Sequence, residues 1–124
     1  MTPNSRLIRG KAGEIAAVRY LVEQGYAIIQ TNWRCRIGEL DIVAMKKQTL
    51  VFIEVRTRSA HSLSMYGTPE ESITQKKQLK LRKLAQVYIQ QNKILMSAIR
   101  FDVVCVILNE RNEPVSIQLT SEAF

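Results

Sequence analysis

Two segments near the middle of the chain place acidic side chains on otherwise apolar strands. The first, GELDIVAM, contains Glu39 and Asp41, and the second, VFIEVRTR, contains Glu54 and Arg56. Side chains two positions apart on a strand point to the same face of a sheet, so each pair shares a face. Grouped carboxylate oxygens are the ligands that hard divalent cations such as Mg²⁺ and Mn²⁺ prefer.

The short connection between the two strands determines which of these side chains face each other. A tight hairpin centred on the KKQT segment places Asp41 opposite Glu54, and Glu39 opposite Arg56. Opposed side chains have Cβ atoms about 4.5–5.5 Å apart, and two carboxylates that close repel unless a cation lies between them. The pattern therefore predicts a divalent-metal site. The alternative is a salt-bridge lattice in which Arg56 and lysines neutralise the acids.

A further acidic side chain lies on a predicted helix. Glu14 stands three, four and seven residues before Ala17, Val18 and Leu21, so the four side chains share one helical face. The carboxylate of Glu14 therefore lies on a mostly apolar stripe, on the face that would pack inward.

Apolar periodicity and turn residues divide the chain into two helices and five strands. The predicted elements are, in order, a helix over 7–24, strands over 26–31, 40–45 and 50–56, a helix over 74–92, and strands over 99–108 and 115–119. Between the third strand and the second helix, a Ser-rich segment (57–72) with Gly and Pro is predicted as a long loop that contains His61 and Tyr66.

The order of these elements predicts the fold class. Three consecutive strands favour an antiparallel meander, and the helix after them permits a right-handed crossover to a parallel fourth strand. We therefore expect an α/β fold of order α-β-β-β-α-β-β, in which a mixed sheet is flanked by one helix on each face.

Length and composition are those of one ordinary domain over 1–124, with 1–6 as a loose arm. The chain has 124 residues and a net charge of +7, and its pI is near 9.7. This charge favours a polyanionic partner, with nucleic acid ahead of an anionic membrane surface. The two cysteines, the short apolar runs and the lack of a signal-peptide pattern lead us to expect a cytoplasmic protein with no membrane partner.

Basic residues are grouped in two places where they could contact phosphates. Lys76, Lys80 and Lys83 recur at helical spacing, and three phosphate contacts there would make binding dependent on salt. The alternative is an ordinary solvated helix face. Arg34 and Arg36 alternate onto one side of the chain directly before the acidic strand, and are candidates for phosphate contact as well.

Two other residues each allow two interpretations. Trp33 could stack on a base or sugar, but half-buried packing at the end of a strand is favoured. Asp102, in the buried RFDVV strand, is interpreted as the structural partner of a basic residue rather than as a metal ligand.

These blocks together resemble known proteins. The spacing D-x12-E-x-R at Asp41, Glu54 and Arg56 resembles the PD-(D/E)xK nuclease signature, and the helix with Glu14 adds a likeness to archaeal Holliday-junction resolvases. More closely, GKAGEIAAVRYLVEQGY, GELDIVA, VFIEVRTR and YGTPEESITQKKQLKLRKLAQVYI resemble the uncharacterised bacterial YraN family, over nearly the whole chain. The resemblance implies a restriction-endonuclease-like fold.

The resemblance also implies roles for individual residues. Asp41, Glu54 and the backbone carbonyl of Val55 would bind Mg²⁺ or Mn²⁺, and Glu14 would lie beside the metal. A metal ion there would activate water and stabilise the charge of a phosphate during its transfer.

One position departs from the nuclease signature. Arg56 stands where these nucleases have lysine, and because arginine stays charged at any working pH it cannot act as a base. It can still stabilise phosphate charge, and Arg58 is a further candidate for phosphate contact. By the same resemblance Gln75 and Lys76, at the start of the second helix, would contribute to the active site.

Three functional hypotheses follow. The first is a metal-dependent endonuclease that hydrolyses DNA rather than RNA, with branched or damaged DNA as its substrate. The second is a non-catalytic nucleic-acid-binding module of the same fold, which the arginine at position 56 favours. The third is an adaptor whose basic face meets an acidic partner protein. Resolvase-like enzymes cut two strands as dimers, so the resemblance also implies a homodimer.

Overall fold

A computed structural model describes residues 5–60, 73–95 and 98–124 of the chain. Its elements are, in order, α1 (Ser5–Glu23), β1 (Ala27–Cys35), β2 (Gly38–Lys46), β3 (Thr49–Ser59), α2 (Gln75–Gln91), β4 (Ile99–Leu108) and β5 (Pro114–Thr120). The predicted order α-β-β-β-α-β-β is confirmed. Among the described residues, no helix combines the length and the apolar character needed to cross a membrane.

The five strands form one mixed sheet in the order β1-β2-β3-β4-β5. The pair β3–β4 is parallel and the other three pairs are antiparallel. The β2–β3 hairpin has the predicted register, since its ladder runs from Lys46 opposite Thr49 to Ile42 opposite Ile53. A turn this tight leaves few alternative registers, so the position of the turn was enough to predict which residues of the two strands are paired.

Each face of the sheet is covered by one helix, as predicted. On one face, Ala17 and Leu21 of α1 pack into a buried cluster with side chains of β2, β3 and β4. On the opposite face, α2 buries the four side chains that the helical periodicity identified, Leu81, Leu84, Ala85 and Tyr88. Because successive side chains of a strand point to opposite faces, Ile42 contributes to the first cluster and Val43 to the second.

Several element ends differ from the sequence-based prediction. β1 continues beyond Thr31 to Cys35, because it is an edge strand whose polar side chains stay in water while its backbone pairs with β2. β3 extends to Ser59, inside the segment predicted as a loop, because it remains paired with β4 to that point. His61 and Tyr66 lie outside the described residues. α1 begins at Ser5, within the predicted arm, and ends before Gly25, whose φ of +92° stops the helix.

The buried Asp102 has the structural role that the sequence favoured. Its carboxylate accepts hydrogen bonds from Arg100 Nε (2.9 Å) and from the Tyr26 hydroxyl (2.8 Å). The backbone N–H of Glu122 donates a third hydrogen bond, of 3.0 Å. A buried carboxylate bonded in this way is compensated within the protein, so Asp102 joins β4 to the chain segments beside it.

The contact between α1 and the sheet depends on one glycine. Gly13 is buried, and a Cβ atom at this position would overlap the Thr57 hydroxyl oxygen and lie 2.9 Å from the Thr57 methyl carbon. Only a residue without a side chain allows α1 to lie this close to β3. Since Glu14 is the next residue, this close approach also sets how far the Glu14 carboxylate stands from the sheet.

We expect Gly13→Ala to destabilise the fold by about 1–3 kcal/mol, the usual cost of overpacking a core. Gly10→Ala is the matched control, because nothing lies within 4 Å of a Cβ atom there. That variant should be neutral or gain up to about 1 kcal/mol from helix propensity. Adding Thr57→Ala to Gly13→Ala should recover part of the loss. Urea unfolding followed by circular dichroism measures all three, and equal stability of the two glycine variants would contradict the packing argument.

Candidate metal and nucleic-acid site

Asp41 lies where the β2–β3 ladder ends. The last paired residues are Ile42 and Ile53, and beyond them the Asp41 side chain reaches across to β3, where its Oδ2 accepts a hydrogen bond of 2.9 Å from the Val55 N–H. The Asp41 and Glu54 carboxyl groups are also close enough for each to affect the pKa of the other. The predicted juxtaposition of Asp41 and Glu54 is therefore present, and it is fixed by a side-chain bond to the backbone as well as by the hairpin register.

A second group of acids meets Asp41 from the other direction. Carboxylate oxygens of Glu14, Glu39 and Asp41 lie within 4.8 Å of one another, and all three residues are partly buried. Glu14 comes from α1, held close by the glycine beside it, whereas Glu39 and Asp41 come from β2. Asp41 is the member shared by this group and by the Asp41–Glu54 pair, so carboxylates from three elements surround one position.

Burial raises the pKa values of Glu14, Asp41 and Glu54. For Glu14 the neighbouring Asp41 and Glu39 raise the pKa further, while a hydrogen bond with Asn32 lowers it. For Asp41 burial is again the largest cause, opposed by the hydrogen bonds with Val55 and Glu54. The raised pKa values mean that the surrounding groups do not fully compensate the ionised acids. A divalent cation would provide that compensation.

Glu54 has two cations as neighbours, but neither is close. The Glu54 side chain is 8% exposed, and its Oε2 lies 3.7 Å from Arg56 Nη1 and 3.8 Å from Lys77 Nζ. Burial and the nearby Asp41 carboxylate raise the pKa of Glu54 to about 7 in spite of these cations. The salt-bridge lattice considered from the sequence is thus present in part, and its long ion pairs leave the acids incompletely compensated.

Lys77 is a functional candidate that the sequence analysis did not identify. It is adjacent to Lys76 in the sequence, but its side chain reaches the sheet, where its Nζ lies 3.8 Å from Glu54 Oε2. The sequence does indicate that Lys77 faces the sheet. It precedes Leu81, Leu84 and Tyr88 by four, seven and eleven residues and so lies on the same stripe of the helix as these buried side chains. A lysine on the apolar face of a helix indicates a buried acidic partner.

Glu39 interacts with a different arginine from the one that the hairpin suggested. Arg34 of β1 lies opposite Glu39 in the β1–β2 ladder, and its Nε is 2.8 Å from Glu39 Oε2. The regular β2–β3 ladder stops at Ile42 opposite Ile53, so strand register no longer determines what faces Arg56. Arg34 therefore lies beside the acidic group, with one of its nitrogens already engaged.

The remaining candidates for phosphate contact are spread around this centre. Arg36 is exposed in the turn after β1, and Arg58 is half-buried near the end of β3. Gln75 is the first residue of α2, whose start is capped by the Thr74 hydroxyl. The lysines predicted to form a basic stripe on α2 are all exposed: Lys76, Lys80 and Lys83.

Trp33 is a packing residue, as favoured from the sequence. It is 8% exposed, and its ring meets Tyr88 of α2 edge to face at 5.3 Å between centroids. A ring covered in this way does not offer a face on which a base could stack.

Comparison with known proteins identifies the family. The sequence model of the family described as "Uncharacterised protein family UPF0102" matches residues 13–106. A UPF0102 protein of Moorella thermoacetica is 42% identical over 120 residues, which is 97% of this chain and 98% of that protein. One of Caldicellulosiruptor saccharolyticus is 44% identical over 115 residues, covering 93% and 95% of the two chains. One of Clostridium botulinum is 46% identical over 116 residues, covering 93% and 92%. The chain thus belongs to the UPF0102 family, also called the YraN family.

Proposed function

We propose that this protein is a divalent-metal-dependent endonuclease that hydrolyses phosphodiester bonds in DNA. One observation carries the proposal. Asp41 is surrounded by carboxylates from α1, β2 and β3, and one of these, Glu54, lies near an arginine and a lysine, in a protein of net charge +7. Acids that bind a cation and bases that bind a phosphate are the two requirements for metal-assisted hydrolysis of a phosphodiester.

The residues present fit a hard divalent cation. The side-chain donors around Asp41 are carboxylate oxygens, three of them within 4.8 Å of one another, and Mg²⁺ and Mn²⁺ prefer such ligands. Asp41 would hold the ion together with Glu14, Glu39 or Glu54, and the Val55 carbonyl remains the backbone ligand implied by the nuclease resemblance. When bound, such an ion supplies positive charge to the phosphate and makes water more acidic.

The basic side chains have a separate task. Arg56 stays protonated and presents N–H groups that match phosphate oxygens, so it would stabilise the negative charge that builds up during hydrolysis. Lys77, held beside Glu54, supplies the ammonium group that the nuclease signature normally carries on the strand. Two cations at a partly buried site act more strongly on a phosphate than they would in open water.

The lysines of α2 would bind the remainder of the nucleic acid. Lys76, Lys80 and Lys83 are exposed along one flank of the helix, and Lys80 lies near Gly38 at the start of β2. They share α2 with Lys77, so a phosphate chain that enters the acidic site can continue along this helix. We propose DNA in the cytoplasm as the substrate, with branched or damaged forms to be tested first.

A second candidate is a nucleic-acid-binding module without catalysis. The arginine at position 56 favours it, because this position is lysine in the nuclease signature and arginine cannot act as a base. Both candidates bind DNA, and only the first requires metal-dependent cleavage.

A cleavage panel tests the proposed function. Single-stranded, duplex, flap and four-way DNA, with matched RNA, would be incubated with the full chain in Mg²⁺ or Mn²⁺. We expect cleavage of at least one DNA substrate that Asp41→Asn abolishes, because this change removes the shared carboxylate while keeping its shape. Calorimetric titration with Mn²⁺ should lose its binding signal in the Asp41→Asn, Glu54→Gln double variant.

Variants of the two cations separate the candidates in the same assay. Lys77→Ala should reduce cleavage strongly, whereas Lys76→Ala, one residue away but facing solvent, should reduce only affinity. Arg56→Lys should keep or raise cleavage, and Arg56→Ala should lose most of it. DNA binding without cleavage in any metal would select the binding module. Mn²⁺ binding that is unchanged in the double variant would refute the site itself.

Salt dependence tests the role of the α2 lysines. The affinity for DNA should fall steeply with salt, with a log–log slope of roughly −3 to −6 for a handful of neutralised phosphates. Replacing Lys76, Lys80 and Lys83 by Ala should flatten the slope by up to about 0.9 per lost contact. Fluorescence anisotropy over a salt series measures both slopes. An unchanged slope in the triple variant would assign these lysines to an ordinary solvated face.

The raised pKa of Glu54 predicts a cost in stability. Because the pKa lies near 7 in the folded chain and near 4.5 in the unfolded one, folding favours the protonated acid. In chelator, the wild-type protein should therefore lose stability as pH rises from about 4.5 to 7. Glu54→Gln should remove this loss. The free energy of unfolding of this variant should exceed that of the wild type by at most about 3 kcal/mol above pH 7 and should equal it near pH 4. Urea unfolding across pH measures it, and a gain of equal size at both pH values would contradict the assignment.

A further inference from the structure

Helix α1 has a second apolar face that points away from the sheet. Ile8, Ile15 and Val22 are 44%, 54% and 54% exposed, and they follow one another at intervals of seven residues. They lie on the side of the helix opposite the buried Ala17 and Leu21. We call this line of three side chains the outer ridge. It extends about 21 Å along α1, at 1.5 Å per residue.

A groove runs along each side of the outer ridge at its midpoint. On the β5 side, a depression of about 220 Å³ is lined by apolar side chains such as Ile15 and Ile117, with Arg19 and Glu23 as its charged members. On the β1 side, a depression of about 310 Å³ is lined by Ile15 and Val18, with Lys11 and Glu14 as its charged members. Ile15 therefore stands as a projection between two recesses, each of which can receive side chains from a surface that packs against α1.

Cations border the outer ridge on both sides. Lys11 and Arg19 each lie within about one helical position of the line, on opposite sides of Ile15, and both are exposed. Neither forms an ion pair with any residue in the described part of the chain. In helix pairs, charged side chains that border the apolar seam decide which partner is accepted.

We propose that the outer ridge binds an amphipathic helix of a partner protein, one whose apolar stripe is bordered by Asp and Glu. A seam between two helices uses two positions in each seven-residue repeat, and the outer ridge supplies one of them. The grooves beside Ile15 provide holes for the partner's apolar side chains. Acidic residues on the partner would pair with Lys11 and Arg19. The outer ridge is a different surface from the acidic site, although Glu14 lines the groove on the β1 side as well as belonging to the acidic cluster.

The same charges disfavour a second copy of this chain as the occupant. An antiparallel pair of α1 helices that matches all three apolar residues across a twofold axis puts Ile15 against Ile15 and Ile8 against Val22. Lys11 of each copy then faces Arg19 of the other. A parallel pair places identical cations side by side. Both arrangements oppose like charges in a protein whose net charge is +7.

A membrane surface fits the outer ridge less well than a helix does. Helices that lie in a membrane interface bury a broad apolar face, commonly with Trp or Phe. The outer ridge is one side chain wide and contains no aromatic residue, and cations border it closely on both sides. A narrow stripe of this kind is typical of a helix–helix seam.

Two synthetic peptides test the proposal with the full chain. Each has three heptads with Leu at the two seam positions. One carries Glu and the other Lys at the bordering positions, so that like charges prevent either from pairing with itself. We expect the Glu peptide to bind at least about tenfold more tightly than the Lys peptide. Isothermal titration measures the affinities, and amide NMR shifts show whether the α1 residues are affected.

Three variants assign the binding to the outer ridge. Ile15→Glu should weaken binding of the Glu peptide at least about tenfold. The control is Leu79 on α2, another apolar residue that is 65% exposed, and Leu79→Glu should change the affinity by less than about twofold. Lys11→Glu with Arg19→Glu should reverse the preference between the two peptides. The same reversal of Lys80 and Lys83 should not. Circular dichroism checks each fold, and Ile15→Ala replaces Ile15→Glu if the latter does not fold.

Several results would overturn the proposal. Equal binding of the two peptides, or binding that Ile15→Glu and Leu79→Glu weaken alike, would mean that only general charge attraction operates. The ridge would be assigned to a lipid surface by two results together. Neither peptide would bind, and the protein would bind vesicles of equal parts phosphatidylcholine and phosphatidylglycerol in a way that Ile15→Glu abolishes. A dimer in sedimentation equilibrium that Ile15→Glu dissociates would assign it to a second copy. None of these results depends on cleavage of DNA.

Discussion

Repulsion among buried carboxylates is the constraint around which this protein is organised. Asp41 lies beside Glu54 on one side and close to Glu14 and Glu39 on the other, and burial raises the pKa values of Asp41, Glu54 and Glu14. A chain selected only for stability would replace some of these acids. They remain together because the fold holds them from three directions, and the two nearby cations approach Glu54 only to 3.7–3.8 Å.

The rest of the fold holds these carboxylates in place. Two apolar clusters, one on each face of the sheet, fix α1 and α2 independently of the acids. Gly13 lets α1 approach β3 closely enough to deliver Glu14, and the buried stripe of α2 delivers Lys77 to Glu54 from the opposite face. Asp102 differs from these acids because its carboxylate is compensated by hydrogen bonds within the protein. It is fully buried and hydrogen-bonded on both oxygens, and it serves structure alone.

The parts of this account that were predictable from the sequence depend on regular periodicity. The KKQT turn defined the hairpin register, and the spacing of Glu14 from Ala17 and Leu21 indicated its inward face. The same helical period places Lys77 on the buried stripe of α2, although its position among five basic residues of that helix gives it the appearance of a solvated side chain. Where the ladder ends, periodicity ceases to apply. The Arg34–Glu39 ion pair and the bond from Val55 N–H to Asp41 depend on how strands separate, and no residue pattern encodes that directly.

The central claim is that Asp41 is the shared ligand of a divalent cation, and paramagnetic broadening by Mn²⁺ tests it most directly. In amide NMR spectra of the full chain, small additions of Mn²⁺ should first broaden signals from residues 13–15, 39–42 and 54–56. The same additions to an Asp41→Asn variant should leave those signals sharp. Broadening centred on another acidic segment, such as the β4–β5 turn with Glu110 and Glu113, or a pattern unchanged in Asp41→Asn, would contradict the account.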